Sequence, residues 1–207
     1  ICPAEKTTLF LLVDGDHPND SRYTLNMLPY QNMVQDYARA GFSIGLHPSY
    51  TTYRDAAKIQ AEKQLLENVV GPVTRSRQHY LRYRNPDTFR YLAQAGIQQE
   101  YSLCPPAHTG AKTGVFRPYR WFDLMANTAT DLLLVPAVVM DRTLQQYMGL
   151  SPQEALIEIK AQIDQVRAFQ GKFVLILHNE TFSESGEWRG WRKVIAETVA
   201  YLQSNES

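Results

Sequence analysis

The stretch "GFSIGLHPSY", residues 41–50, contains the pattern that decides the fold. Its run FSIGL is short, apolar and partly β-branched, which predicts a strand buried on both faces, as in a parallel sheet. His47 follows this run directly, and Pro48 comes next. A titratable ring therefore stands at the carboxyl end of a predicted strand, which is where α/β proteins gather the side chains of their sites.

Apolar runs of the same kind alternate with helical periodicity along the chain. The predicted strands are TTLFLLV (7–13), FSIGL, GPVTRSR (71–77), YSLC (101–104), DLLLVPAVV (131–139) and KFVLIL (172–177). Predicted helices cover residues 30–38, 55–70, 85–96, 151–171 and 191–202. Strands separated by helices require right-handed parallel crossovers. The fold class is therefore α/β, with a barrel and an open doubly wound sheet as the two architectures left open.

Two of the predicted helices carry signals at their ends. In "NPDTFRYLAQAG" we expect Asn85 to be the N-cap, Pro86 the first helical residue and Gly96 the stop. Ser151 and Glu154 have the spacing of a capping box, which predicts the start of the fourth helix.

Length and composition restrict the class of protein. The 207 residues, 44% of them hydrophobic, suit a single globular domain over residues 1–207. The 21 basic and 21 acidic residues cancel, which argues against a nucleic-acid partner. No apolar run approaches the length of a membrane span. Cys2 and Cys104 lack metal-ligand spacing, so we expect free thiols and a cytoplasmic location, although a targeting segment upstream of Ile1 stays open.

All five histidines fall just beyond a predicted strand. The polar residues at these strand ends are Asp14, Asp16 and His17; His47; Arg77 and His79; Cys104 and His108; and His178 and Asn179. Neutral imidazoles and carboxylates are ligands that zinc accepts, and the same groups serve general acid–base catalysis. The pattern predicts a His/Asp cluster for a divalent metal or for proton transfer. His17 and His108 stand in polar loops, where we expect them to be solvated.

Several segments resemble a known family. "GLHPSY", "SRQHYLR", "NPDTFRYLAQAGI", "PYRWFDL" and "LHNETFSESGEWRGWRKV" are similar, in order and spacing, to a divergent bacterial branch of the polysaccharide deacetylase-like proteins, related to carbohydrate esterase family four. The resemblance implies a distorted (β/α) barrel. It also implies a metal-dependent hydrolase that removes N- or O-acetyl groups from a glycan by means of a metal-bound water.

The resemblance also implies roles for individual residues. His47 resembles the first metal histidine, Arg77 the arginine that orients a catalytic carboxylate, and His178 the general acid. The family pattern places a second metal histidine four residues after the first, where this chain has Thr51. We expect His79 to supply the lost ligand, with zinc as the metal.

The start of the chain can be aligned with the family in two ways. In one, "VDGD" is the diverged first motif, with Asp14 as the catalytic base and Asp16 as a metal ligand. In the other, "TTLFLLVDG" is the second strand of the barrel, and the strand with the key aspartates is missing from an incomplete barrel. A turn around Gly15 is the structural alternative for both aspartates.

Substrate binding is assigned to aromatic residues. The assigned residues are Tyr119 and Trp121, with ordinary packing as the alternative, and Tyr80, near which we expect a backbone N–H to serve as the oxyanion donor. The partner implied by the resemblance is an acetylated glycan. A non-catalytic glycan-binding protein that has lost the full metal site is the alternative function, and the oligomeric state is left open.

Overall fold

A computed structural model of the protein describes residues 2–204 and shows a mixed α/β fold. The strands are β1 (Thr8–Leu11), β2 (Ser43–Leu46), β3 (Arg75–Ser76), β4 (Gln99–Glu100), β5 (Tyr119–Asp123), β6 (Thr128–Leu134), β7 (Val139–Met140) and β8 (Leu175–Ile176). The α-helices are α1 (Leu28–Arg39), α2 (Ala56–Val70), α3 (Asp87–Gln94), α4 (Pro152–Ala168) and α5 (Trp191–Gln203). The alternation of strands and helices confirms the predicted α/β class.

The larger sheet is mostly parallel. Its strand order is β1-β2-β3-β4-β6-β5, and only the β5–β6 pair is antiparallel. The register places Leu11 beside Leu46, Leu46 beside Ser76, and Ser76 beside Glu100. Because these residues end their strands, the carboxyl ends of β1 to β4 lie level with one another. Side chains that follow these strands are therefore held on one edge of the sheet.

The chain divides into two compact units, each with its own sheet. The first, called the N-terminal unit here, comprises Pro3–Ser102 and Tyr119–Val135 and contains the six-stranded sheet. Its core includes Val13, Leu25, Val34, Leu46, Leu66 and Val73. The second, the C-terminal unit, contains residues 103–118 and 136–204 and the parallel pair β7–β8. A single domain and a closed barrel stay predictions.

The core of the C-terminal unit is built by two amphipathic helices. From α4 it receives Ala155, Ile159, Ile163 and Val166, and from α5 it receives Trp191 and Val194. The predicted capping box is confirmed, since Ser151 Oγ accepts the Glu154 N–H and the Glu154 carboxylate accepts the Ser151 N–H. Within residues 2–204, no helix has the length and apolar composition that crossing a bilayer requires.

Several local expectations differ from the structure, among them the predicted strand at 131–139, which is divided between β6 of the larger sheet and β7 of the second sheet. The α3 helix begins at Asp87, and Asn85 does not cap it; the Arg84 N–H instead donates to Thr88 Oγ1 at 2.8 Å. The fourth strand was predicted at YSLC (101–104), whereas the paired residues of β4 are Gln99–Glu100, directly before that segment. The segment "PYRWFDL" contains strand β5, which forms a hairpin with β6. Strand β5 was not predicted, because the charged residues in this segment interrupt the apolar pattern.

Candidate functional site

His47 and His79 meet at the carboxyl ends of β2 and β3. His47 extends the pairing of β2, because its N–H donates to the Leu11 carbonyl at 2.9 Å. His79 begins a short 3₁₀ turn after β3, and its N–H donates to the Pro48 carbonyl at 3.4 Å. The two rings lie edge to face with centroids 4.9 Å apart. The structure therefore brings together two of the predicted metal ligands.

Hydrogen bonds to backbone carbonyls define which ring nitrogens carry protons. His47 Nδ1 lies 2.5 Å from the Arg77 carbonyl, and His79 Nε2 lies 2.8 Å from the Asn19 carbonyl. A carbonyl oxygen only accepts, so each of these nitrogens must donate a proton. In the neutral rings, the lone pairs are then on His47 Nε2 and His79 Nδ1, which face each other at 3.0 Å. Two facing lone pairs repel unless a proton or a metal cation lies between them.

This arrangement fits metal-binding imidazoles in one respect. Histidines that bind metals usually donate the other ring N–H to a carbonyl or carboxylate, which fixes the tautomer. Both His47 and His79 do so here. Across residues 2–204, however, no group of three His, Cys, Asp or Glu side chains is arranged to hold a metal ion. The pair therefore fits as two nitrogen ligands, and among the residues that the structure describes no third protein ligand is grouped with them.

The two predicted aspartates follow β1 in the same unit. Asp14 Oδ1 accepts the N–H of Gly15 at 2.8 Å, which is turn chemistry. Asp16 accepts a hydrogen bond from Lys58 Nζ at 2.9 Å, and its side chain is 82% exposed. The hydrogen bond from Lys58 lowers the pKa of Asp16. Asp16 is thus an ionised carboxylate paired with a lysine in this structure.

Arg77 contributes to the pair through its backbone. Its carbonyl is the acceptor for His47, and its guanidinium lies 5.1 Å from the centroid of the Phe10 ring. The distance is within the range of a cation–π contact. The predicted role of Arg77 in orienting a catalytic carboxylate stays a prediction.

The predicted aromatic residues lie in different environments. Tyr80 is 62% exposed, and its ring meets His79 edge to face at 4.7 Å. Tyr80 and Leu81 both adopt left-handed backbone conformations, with φ of 55° and 53°, which L-residues adopt at a cost. Trp121 is only 5% exposed and packs against Phe89.

Tyr119 begins strand β5 and lies opposite Leu134 of β6. Of the three predicted substrate-binding residues, Tyr80 therefore stands beside the imidazole pair with its ring at the surface.

A stack of four side chains borders the imidazole pair, which sequence reasoning did not find. The His17 ring stacks on Tyr50 with centroids 4.1 Å apart. The Arg82 guanidinium lies 3.9 Å from the Tyr50 centroid and 4.3 Å from the Tyr53 centroid. Two groups this close to one ring must occupy opposite faces, so the Tyr50 ring is sandwiched. His17, which we expected to be solvated, is part of this stack.

Two buried carboxylates hold the turn that follows His47. The Tyr50 N–H donates to Asp20 Oδ1 at 2.8 Å, and the Ser49 N–H donates to Glu62 Oε2 at 2.8 Å. Burial raises the pKa of Glu62 to about 7. Glu62 had a signal in the sequence, because it is three residues after Ile59 and therefore on the inward face of α2. Asp20 lies in the polar segment HPNDS (17–21), which indicates a turn and not a functional residue.

The C-terminal unit contains a second histidine site. His178 follows β8, and its ring Nδ1 lies 2.7 Å from Asp141 Oδ1. The backbone N–H of His178 donates to Asp141 Oδ2 at 2.5 Å, and the Thr181 hydroxyl donates to the same oxygen. Burial by itself would raise the pKa of Asp141, but these hydrogen bonds outweigh it and lower the pKa.

Asp141 is a functional candidate that sequence reasoning missed. It follows β7 as directly as His47 follows β2, so the strand-end argument applied to it as well. An ionised carboxylate on Nδ1 fixes the tautomer of His178 and leaves Nε2 for proton transfer. The predicted meeting of His178 with His47 and His79 stays a prediction.

Comparison with known proteins adds a structural likeness. No protein-family model and no curated protein sequence matches the chain. A solved structure described as a "putative polysaccharide deacetylase from Mycobacterium smegmatis" matches with a TM-score of 0.58 and 22% sequence identity over 83% of this chain. The chain spans 62% of the length of that structure. At this identity the likeness concerns the fold, and it shows that the chain has a fold similar to that deacetylase structure.

Proposed function

We propose that this protein is a hydrolase of the polysaccharide deacetylase type, which removes acetyl groups, bound as amides or esters, from a glycan. The observation that carries the proposal is the pair of imidazole nitrogens, His47 Nε2 and His79 Nδ1, that face each other at 3.0 Å. The pair lies at the carboxyl ends of two parallel strands, where α/β enzymes place their sites. The fold likeness supports the reaction class.

The proposed cofactor is a divalent metal, zinc by preference for imidazole ligands. His47 and His79 would hold it through the two facing nitrogens. When bound, such an ion polarises an acetyl carbonyl and lowers the pKa of a bound water. Asp16 is the proposed third ligand, and binding a metal would require it to leave Lys58.

The chain's own residues supply the proton transfers in this proposal. Asp14 is the proposed base that accepts a proton from water, and Arg77 would keep that carboxylate ionised through its positive charge. His178 is the proposed acid that protonates the leaving amine or alcohol. Its Nδ1–H donates to the buried Asp141, so Nε2 is the nitrogen that holds the proton to be given.

Substrate contact is assigned to the exposed ring of Tyr80. A sugar ring stacks well on an exposed aromatic face, and this ring stands beside His79. The left-handed backbone of Tyr80 and Leu81 holds the ring there, and strained residues of this kind cluster at functional sites.

Acetate release tests the proposal. The purified protein is supplied with zinc and incubated with N-acetylated chito-oligosaccharides and with O-acetylated xylan, and released acetate is measured. We expect release by the wild type and a loss of at least about 100-fold in His47→Asn. His108→Asn is the matched control, because His108 is an exposed histidine whose ring contacts its neighbour's carbonyl. Equal rates in both variants would remove His47 from the reaction.

Glycan binding without catalysis is a second candidate function. It is favoured by the pairing of Asp16 with Lys58, which occupies the carboxylate that a metal would need. Calorimetric titration with the same oligosaccharides separates the two functions. Binding without acetate release, unchanged by added zinc, would support the second candidate.

A further inference from the structure

We infer that Asp20 is the positioning residue of the His47–His79 pair: it holds the turn whose carbonyl fixes the tautomer of His79. Asp20 was not among the expected site residues, and its side chain is 1% exposed. The inference deepens the proposed function, and its metal-binding part depends on that function. The positioning itself rests on hydrogen bonds that are independent of any reaction.

The Asp20 carboxylate ties together two loops of the N-terminal unit. Oδ2 accepts the N–H of His17 at 3.1 Å, and the Asp20 N–H donates to the His17 carbonyl at 2.8 Å. Oδ1 accepts the N–H of Tyr50 at 2.8 Å. The turn after β1 is therefore closed on itself and joined to the turn that follows His47.

Asp20 acts on His79 through Asn19, the residue that precedes Asp20 in the chain. Asn19 lies inside the closed turn, and its carbonyl accepts from His79 Nε2 at 2.8 Å. Because this carbonyl cannot donate, it keeps the proton on Nε2 and leaves the Nδ1 lone pair directed at His47. The Asp20 carboxylate also lies 3.9 Å from His79 Nε2.

A carboxylate is required at this position. Two backbone N–H groups point at its two oxygens, and an amide would offer one oxygen and one NH₂ group in the same space. The backbone at Gly15 lies so close to the Asp20 side chain that it leaves no space for a Cβ. A Cβ added to Gly15 would lie 2.5 Å from Cβ and Cγ of Asp20. Gly15→Ala therefore displaces the carboxylate without changing its chemistry.

Nitrogen NMR of histidine-labelled protein tests the inference. Signals are assigned with the His47→Asn and His79→Asn variants, and protonated and unprotonated ring nitrogens are distinguished by their chemical shifts. In the wild type we expect a proton on His79 Nε2 and on His47 Nδ1. In Asp20→Asn and Gly15→Ala we expect His79 to populate both tautomers. Asp36→Asn is the matched control, because this exposed aspartate pairs with Arg39 on the surface of α1.

A second measurement separates this inference from the proposed function. Zinc affinity measured by competition with a chelator should fall about 10- to 100-fold in Asp20→Asn, as expected for a residue that orients a ligand. A wild type that binds no zinc contradicts the metal hydrolase, while the tautomer change still supports Asp20. Should Asp20→Asn fail to fold, the spectra of Gly15→Ala and of the wild type show whether the closed turn fixes the tautomer of His79. An unprotonated His79 Nε2 in the wild type, or unchanged tautomers in the folded variants, would overturn the inference.

Discussion

At the scale of single residues, a fully buried carboxyl group lies at the end of β4. Glu100 has no exposed surface, and it accepts hydrogen bonds from the hydroxyls of Ser76 and Ser102 and from the Ser102 N–H. Burial raises its pKa from 4.5 to about 7, even though these hydrogen bonds oppose the change. Its titration is therefore linked to folding.

We expect Glu100 to make the free energy of unfolding decrease as pH rises from about 4.5 to 7. In this window the folded protein binds a proton that the unfolded chain has lost, so the stabilisation present below pH 4.5 disappears as Glu100 ionises. The change is at most about 3.5 kcal/mol, given about 1.4 kcal/mol per pKa unit.

Urea denaturation at pH 5 and pH 8 measures the dependence. Glu100→Gln should reduce the difference between the two pH values, and a smaller difference should remain because burial also raises the pKa of Glu62. Glu197→Gln on α5 is the control, since Glu197 faces solvent beside Lys193. An equal pH dependence in wild type and Glu100→Gln would show that Glu100 does not bind the extra proton.

The His178–Asp141 pair makes a second prediction at this scale. If His178 donates the proton, His178→Ala should lower kcat for acetate release by about 10²- to 10⁴-fold. Asp141→Asn should also lower kcat, because an amide oxygen is a weaker acceptor for His178 Nδ1 and no longer stabilises the charged ring.

Single-turnover and steady-state rates of both variants and of the double variant check this. The double variant should be no slower than His178→Ala, because both changes remove one function. Asp164→Asn serves as the control, since that aspartate bonds the Tyr201 hydroxyl on the surface of the C-terminal unit. Additive losses would show that Asp141 acts separately from His178.

At the scale of elements, sequence periodicity predicted the α-helices and the approximate positions of most strands. The inward residues of α5 and the start of α4 follow directly from spacing, because an amphipathic helix places its apolar residues on one face. The β5–β6 hairpin was missed because it carries charged residues that pair across it, such as Arg120 with Asp131. A pattern that alternates little gives no strand signal.

The strand-end argument predicted His47, His79 and His178 as site residues, but the carboxylates Asp20 and Asp141 were not predicted. Asp20 binds a backbone group 30 residues away, and Asp141 binds a histidine 37 residues away. Local propensity contains no information about contacts over such separations. Asp20 and Asp141 can be assigned to their partners only from the sheet topology, which places the preceding strands next to each other.

The capping box of α4 provides the prediction at this scale. Ser151→Ala removes the hydroxyl that accepts the Glu154 N–H and should destabilise the protein by about 1 kcal/mol. Glu154→Gln is the matched control, because glutamine also completes a capping box and should change the stability little. Thermal and urea denaturation of the three proteins at neutral pH give the comparison. A destabilisation by Glu154→Gln as large as that by Ser151→Ala would mean that the charge at Glu154 matters more than the hydroxyl of Ser151.

At the scale of the whole molecule, the proposed reaction assigns different tasks to the two compact units. In the proposal, metal binding is a task of the N-terminal unit, which contains His47 and His79, and proton donation is a task of the C-terminal unit, which contains His178. Each task can be removed by a substitution in one unit. The assignment therefore predicts that metal binding and proton donation respond to different variants.

Zinc should stabilise the whole protein through the N-terminal unit alone. A ligand that binds only the folded state at 100 times its Kd adds about 2.7 kcal/mol to the free energy of unfolding. We expect this gain in the wild type, in His108→Asn and in His178→Asn. It should be lost in His47→Asn and in His79→Asn, because each removes one of the two facing nitrogens.

Denaturation with and without zinc, with the bound metal quantified by elemental analysis, makes the comparison. A gain that disappears in His178→Asn as well would show that zinc binding also needs His178, and the division of tasks would be wrong. A wild type without any gain would leave the imidazole pair as a proton-sharing contact. In that case a proton shared by the two facing nitrogens removes the repulsion between their lone pairs, and glycan binding without metal chemistry becomes the better account of the site.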